Sequence, residues 1–401
     1  MIRNRDSEQL CDEIPPAIVI GCCGHALSVI RALADNDIPV IALESNPLLP
    51  GVRTRLAKVI LVEDINGPKL LDALVDIRND IDCAKNPVLF LTNDRMIRTI
   101  GQNIDTVKSR FFVSWMNCSE SIIRLLDKEN LERLSLEKKL NYPKTFYIDR
   151  IDEVAKAWQE IKHPLIVKPA MPLASFKTFF PKSLDDLLQF VSVKSCELPF
   201  LAQHYISGGD ERIFFCALYL DNGKILARFD GRKLRSRPLG HTTVAESYIS
   251  EEVFTETSKF FEKLELSGPV SLELKRDNEG KLWVIEPTVG RTDFWVGLCV
   301  ENGVNFPLVE YCHQLDFEIP HQVQEDLAVW FNEERDPLGR IWFLLNRELR
   351  NRGRESCFLY IKHSDLMPML SSLWLILVGL LKSSNRHFLR LFSRVISPAI
   401  R

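Results

Sequence analysis

Val270-Ser271-Leu272-Glu273-Leu274-Lys275, then Asp277-Asn278-Glu279-Gly280, then Leu282-Trp283-Val284-Ile285-Glu286 reads as two strands joined by a turn at Glu279-Gly280. If Asn278 faces Lys281, counting outward places Glu273 directly opposite Glu286. Their side chains then start only about 5 Å apart on one face. Like charges so placed repel, and their apolar neighbours imply a partly dry setting that strengthens the repulsion. A cation is expected between them. A divalent ion is one solution, most commonly Mg2+ carrying nucleotide phosphates. Pairing with a lysine, or simple solvation of both glutamates, are the alternatives.

Upstream, Leu165-Ile166-Val167-Lys168-Pro169-Ala170 ends an apolar strand in a lysine, which sets an ammonium at the edge of a cleft. Leu201 to Asp210 reads as a strand that leaves its sheet at Gly208-Gly209 and presents an acid. The extended piece Gln203-His204-Tyr205-Ile206 offers backbone groups to a base edge, and Asp210 offers a carboxylate to a ribose.

Toward the amino terminus, Ala17 to Ile20, Val40 to Leu43, Val59 to Val62 and Val88 to Leu91 alternate with helical patterns, which predicts a parallel α/β domain. The first strand enters Gly21-Cys22-Cys23-Gly24 and then a helix through Leu27, Ile30, Leu33 and Ala34. That spacing lacks the Gly-x-Gly-x-x-Gly of a dinucleotide site, so a tight turn needing small residues is expected. Further helices are expected after Asp94, after Ser119, from Asp127 to about Lys139, near Asp152 to Ile161, at Leu184 to Val193 and near Val253 to Leu264. Strands are expected at Leu165 to Lys168, around Lys177 to Phe180 and at Phe200 to Tyr205.

The 401 residues are 46% apolar and 26% charged, as in folded proteins. A net charge of -3 without a basic stripe gives nucleic acid no general attraction. The ten cysteines form no Cys-x-x-Cys pair and read as reduced, mostly buried thiols. Residues 1–14 read as a flexible tail without a signal-peptide core, so a cytoplasmic location is expected.

In their order these features resemble the ATP-grasp superfamily, especially its carboxylate-amine ligases such as D-alanine:D-alanine and D-aspartate ligases. The resemblance spans about residues 15 to 318. It implies a Rossmann-like parallel sheet over residues 15–118, a small ATP-grasp subdomain over 119–206 and a large one over 207–318, an α/β and α+β combination. It also implies ATP and Mg2+ as cofactors, with Lys128, Lys168 and Lys177 on the phosphates, Gln203, His204, Tyr205 and Ile206 as the adenine hinge, and Asp210 on the ribose. Glu273 and Glu286 would hold magnesium with Thr288, which stands where many relatives have asparagine. Arg291 would hold the substrate carboxylate or developing oxyanion. Lys233 belongs to the basic stretch Arg228 to Pro238, which reads either as a solvated strand face or as a flexible loop over the transferred phosphate. The implied reaction activates a carboxylate as an acyl phosphate and joins it to an amine. Carboxylation through carboxyphosphate, and an ATP-binding regulatory or assembly protein without turnover, are the alternatives. The phosphate-covering stretch Met171 to Lys177 departs from the family in lacking glycine.

Residues 319–401 read as an extension. Leu366 to Leu381 is almost wholly apolar, but sixteen helical residues reach only about 24 Å, short of a bilayer's hydrocarbon core. Arg386, Arg390 and Arg394 then recur opposite Phe388, Leu391, Phe392 and Val395. Attachment of residues 366–396 to an anionic membrane surface, the inner face of the cell membrane, is expected. Docking on the ligase body or on a partner subunit is the alternative. Other expected partners are small carboxylates and amines, and a second copy of the chain.

Overall fold

The computed structural model describes residues 14–170, 174–237, 240–350 and 353–375, and residue 377. Strands β1 (Ala17–Ile20), β2 (Val40–Glu44), β3 (Lys58–Leu61) and β4 (Val88–Phe90) make a parallel sheet in the order β3-β2-β1-β4. All four residues of β1 are buried, as expected of a central strand covered on both faces. The helix Gly24–Ala34 follows β1 directly.

A small antiparallel sheet of β5 (Thr145–Ile148), β6 (Leu165–Pro169) and β7 (Phe200–His204), ordered β5-β7-β6, packs against helices Val154–Glu160 and Leu184–Val193. The strand expected at Lys177 to Phe180 does not form. Phe179 alone pairs with Val167, through two backbone hydrogen bonds of 2.8 and 2.9 Å, while Lys177 lies outside the ladder.

The largest sheet contains β8 (Ile213–Asp221), β9 (Lys224–Ser236), β10 (Thr242–Ser247), β11 (Gly268–Arg276), β12 (Leu282–Val289), β13 (Ala328–Phe331) and β14 (Glu355–Phe358), in the order β12-β11-β8-β9-β10-β13-β14. Only β13 and β14 are parallel neighbours. Besides the expected helix, Glu251–Phe261, this region carries Val296–Glu301 and Phe306–Gln314, which the strand-rich reading missed. These two helices bury Val296, Leu298, Val309 and Tyr311, so their apolar runs resemble buried strands in sequence.

The segment after residue 318 supplies the sheet's β13–β14 edge and then returns to the amino-terminal domain. Arg31 donates to the carbonyls of Leu359 and Tyr360 at 2.9 and 3.0 Å and pairs with the buried Asp365. Leu359 also occupies the space that a side chain on Gly24 would need, at 2.4 Å. Thus the turn at residues 21–24 requires small residues, and a distant segment is part of the cause. Glu44, at the end of β2, accepts backbone hydrogen bonds from Cys22, Ser45 and Asn46 at 2.7 to 2.9 Å. Where a dinucleotide fold places its ribose-binding acid, this chain uses the carboxylate to hold its own loop.

Of the nine described cysteines, Cys22, Cys216, Cys299 and Cys312 are buried, four are half-buried and Cys196 is exposed. All are free thiols, less uniformly buried than expected.

Candidate active site

The hairpin of β11 and β12 brings Glu273 opposite Glu286. The route to this pairing differs from the sequence count. Asp277 rather than Asn278 faces Lys281, which leaves a three-residue turn, and Leu274 pairs with Val284. A bulge between Glu273 and Leu274 on the ladder then absorbs one residue of β12 at Ile285 and restores the expected partner. Ser271 and Thr288, two residues further along their strands, share the carboxylates' face.

Lysines meet both acids. Lys233, on β9, places Nζ 2.7 Å from Glu273 Oε2. Lys128, at the start of helix Glu129–Glu137, lies 3.4 Å from Glu286 Oε1 and donates to the Pro169 carbonyl at 3.3 Å. Lys168 at the end of β6 donates to Gln203 Oε1 at 2.9 Å. Desolvation would raise the half-exposed Glu286 carboxyl, but Lys128, Lys177 and Lys168 outweigh it and hold it at about 2. Desolvation lowers Lys168 to about 8, opposed by Glu286 and reinforced by Lys128. Lys177 is also lowered by desolvation, with Glu286 opposing and Lys233 reinforcing. His241 falls to about 4, first through desolvation and then through Lys177, Arg335 and Lys233. Four lysines therefore share one field with two glutamates, and the cations are in excess.

The remaining expected residues divide. Arg291 donates from Nε to Asp94 Oδ1 at 2.8 Å and from its terminal nitrogen to the Thr292 carbonyl at 3.1 Å. Burial opposes its charge, yet Asp94 and Asp293 raise its pKa. Beside it, His25 Nε2 lies 2.9 Å from the Thr292 hydroxyl, and burial followed by Arg291 depresses the ring to about 3. Thr288 does not turn toward Glu286; its hydroxyl donates to Asp293 Oδ2 at 3.1 Å, which also accepts from Ser271 at 3.0 Å. Asp210 accepts from the Ser236 backbone at 2.7 Å, so one of its oxygens anchors the end of β9.

The hinge is also partly occupied. Gln203 is buried and its amide donates to Thr145 at 2.9 Å. His204 and Tyr205 give their backbone N–H groups to Lys144 and Pro164. The Tyr205 ring packs on Phe180 and lies beneath Lys275, and Ile206 is buried.

The Arg228–Pro238 stretch is neither solvated nor a loop through Ser236. It is β9, whose arginines Arg228, Arg232 and Arg235 pair with Asp230, Glu246 and Asp336. Pro238 lies outside the described residues.

Asp94, Asp293, His25 and His241 were missed in the sequence. Asp94 alone carried a signal, an acid just past the carboxyl end of a parallel strand, where open α/β sheets form crevices.

No protein-family model matches the sequence, and a search of curated proteins gives no match. Solved structures do match. Carboxyaminoimidazole ribonucleotide synthase from Aspergillus clavatus, complexed with ATP, aligns at a TM-score of 0.61 and 12% identity, over 79% of this chain and 80% of its own. The chain has the ATP-grasp fold. L-amino acid ligase from Bacillus licheniformis gives a TM-score of 0.56 at 15% identity, over 75% of this ATP-grasp chain and 74% of its own. The biotin carboxylase domain of 2-oxoglutarate carboxylase from Hydrogenobacter thermophilus, in complex with Mg-ADP and bicarbonate, gives 0.58 at 13%, over 79% and 74%. Among the described residues no three His, Cys, Asp or Glu side chains cluster to hold a metal by themselves. That is compatible with magnesium, which is commonly held by one or two carboxylates together with substrate phosphates.

Proposed function

We propose that this chain is an ATP- and magnesium-dependent carboxylate-amine ligase. The observation that carries the reading is the field of Lys128, Lys168, Lys177 and Lys233 around Glu273 and Glu286. Its two excess positive charges, joined by one Mg2+, would balance the roughly four negative charges of ATP. Lys128, Lys168 and Lys177 would contact phosphates, while Glu273 and Glu286 would hold the metal. Bound magnesium supplies charge neutralisation on the transferring phosphoryl group. The adenine edge would meet the Ile206 N–H and the carbonyls of residues 203–206, because the N–H groups of His204 and Tyr205 are already used.

A substrate carboxylate oxygen attacks the γ-phosphorus and the bond to ADP breaks, giving an acyl phosphate. The amine then attacks the acyl carbon, phosphate leaves, and the amine proton passes to solvent. Arg291 would orient the carboxylate and stabilise the oxyanion with its planar fork, held in place by Asp94. Lys233 would swap Glu273 for the transferred phosphate. Positioning and charge stabilisation suffice for these steps, and no protein nucleophile takes part.

The test is ADP release measured while acids and amines are screened in pairs. Release that requires both an acid and an amine supports the ligase. Release stimulated by bicarbonate in place of other acids assigns carboxylation, and ATP binding without stimulated release under any pair assigns a binding protein.

A further inference from the structure

Large apolar side chains exposed to solvent are scattered over most of the surface but crowd its carboxyl-terminal part. Among the described residues, eleven of twenty-one lie between Leu338 and Leu377, which makes a patch rather than the normal scatter. The helix over 367–375 explains its shape. Leu366, Leu370, Leu373, Trp374 and Leu377 recur at helical spacing and form one exposed stripe, with Trp374 66% exposed. Pro368 and Ser372, on the opposite side, are buried. The start of this helix is fixed, because Asp365 accepts from Arg31, the Thr54 hydroxyl and the Arg55 backbone. The helix therefore docks through its small residues and turns its apolar stripe outward.

Helix Gly339–Leu345 repeats the arrangement. Gly339 and Phe343 are buried, whereas Leu338, Ile341, Leu344 and Leu345 are exposed, with Arg340, Arg347 and Arg350 exposed nearby.

Charge identifies the occupant. From Leu366 to Arg401 the sequence holds Lys382, Arg386, Arg390, Arg394 and Arg401 and no acidic residue, in a chain whose net charge is -3. Residue 376 and residues from 378 onward lie outside the described residues, so this part of the argument rests on sequence. An apolar stripe followed by an acid-free basic run matches the interface of an anionic bilayer, where acyl chains meet phosphate headgroups. No helix among the described residues is long and apolar enough to cross a membrane. We propose that the stripe of residues 366–377, with the basic run after it, lays the protein on an anionic lipid surface. A second copy or another protein would cover apolar surface equally well, but neither accounts for the one-signed charge.

Docking requires neither ATP nor turnover, so its test is separate from that of the ligase reading. The full chain is sedimented with vesicles of phosphatidylcholine alone and of phosphatidylcholine mixed with phosphatidylglycerol. Binding should be at least tenfold tighter to the mixed vesicles and should weaken with salt. Leu373→Glu with Trp374→Glu should bind at least tenfold more weakly while keeping the parent's thermal midpoint, since both side chains are exposed. Arg386→Glu with Arg390→Glu and Arg394→Glu should remove the lipid-charge preference. Absence of parental binding, or equal binding by the Leu373/Trp374 variant, overturns the proposal. So does light scattering that shows a dimer dissociated by the Leu373/Trp374 variant in the absence of any vesicle binding, which assigns the stripe to a second copy.

Discussion

Two kinds of cation sit side by side on β9. Arg232 and its neighbour across the sheet edge, Arg354, converge on Glu246, which has no solvent exposure, at the closed end of a buried network. Lys233, the next residue along the strand, points to the other face and meets Glu273, which keeps about a quarter of its side chain exposed. The arginine network uses planar, permanently charged groups whose partners lie inside the protein. The lysine cluster has more cations than acids, perturbed ammonium groups and access to solvent, so its ion pairs can be exchanged for a ligand's. One strand thus separates charge that fixes the sheet from charge available to phosphate.

The sharpest test of that contrast is Glu286→Gln. Loss of a metal-holding carboxylate, at about 4 kcal/mol, should slow turnover roughly a thousandfold. Stability is a second readout. Repulsion between Glu273 and Glu286 alone argues that the glutamine variant should be as stable as the parent or more so, but Glu286 offsets three lysines, and its removal leaves them to repel one another. A small destabilisation is therefore expected without Mg-ATP. The sign follows the carboxyl's depressed pKa: its contribution is present above the ordinary carboxylate range and is lost as pH falls toward about 2. Thermal unfolding against pH for both proteins checks this, alongside ADP formation against magnesium concentration. Parental turnover and magnesium dependence in a folded Glu286→Gln protein would remove that residue from the site.

On the structural side, Glu246→Ala should cost about 3 to 5 kcal/mol of folding stability, because Arg354 is left buried beside Arg232 without its carboxylate. Denaturant unfolding measures that loss, and activity per folded molecule should remain near parental. A variant of ordinary stability and poor turnover would reverse the division between the two networks.

Lys168 gives an effect of intermediate size. Its ammonium titrates at about 8, so the charge that attracts phosphate is present below that pH and lost above it. ATP affinity should weaken by several-fold between pH 7 and pH 9, with proton uptake on binding, and Lys168→Gln should flatten the profile at lower affinity. Calorimetry in buffers of different ionisation enthalpy reads both quantities.

Much of this was legible in the sequence because it rests on local periodicity. The four parallel strands, the hairpin, the strand ending in Lys168 and the opposition of Glu273 to Glu286 all follow from patterns a few residues long. The bulge at Ile285 was not legible, since it depends on how β12 meets its neighbour. Nor were the partners of Arg291, Thr288 and Asp210. Each is a long-range contact or involves a backbone group that leaves no trace in residue type. The basic run of β9 was ambiguous for the same reason: Asp230, Glu246, Asp336 and Glu273 come from four places along the chain, and only the fold separates arginines with buried acids from a lysine facing the cleft.

The smallest expected effect belongs to Thr288, and it sharpens the boundary of the lysine and carboxylate cluster. Family resemblance gives it a place in the metal site, two residues beyond Glu286, yet its hydroxyl is engaged with Asp293 at 3.1 Å. Asp293 has two other donors, the Ser271 hydroxyl and the Phe294 backbone, so loss of one bond leaves the carboxylate satisfied. Thr288→Val keeps the branched shape suited to a strand and removes only the hydroxyl, which should cost about 1 kcal/mol of stability. Turnover should fall by less than about fivefold, the factor corresponding to about 1 kcal/mol, and the magnesium dependence should not move. A metal ligand would behave differently. If Thr288→Val shifted the magnesium requirement as far as Glu286→Gln does, the hydroxyl must leave Asp293 when Mg-ATP binds, and the metal-holding face would extend along β12 beyond the two glutamates.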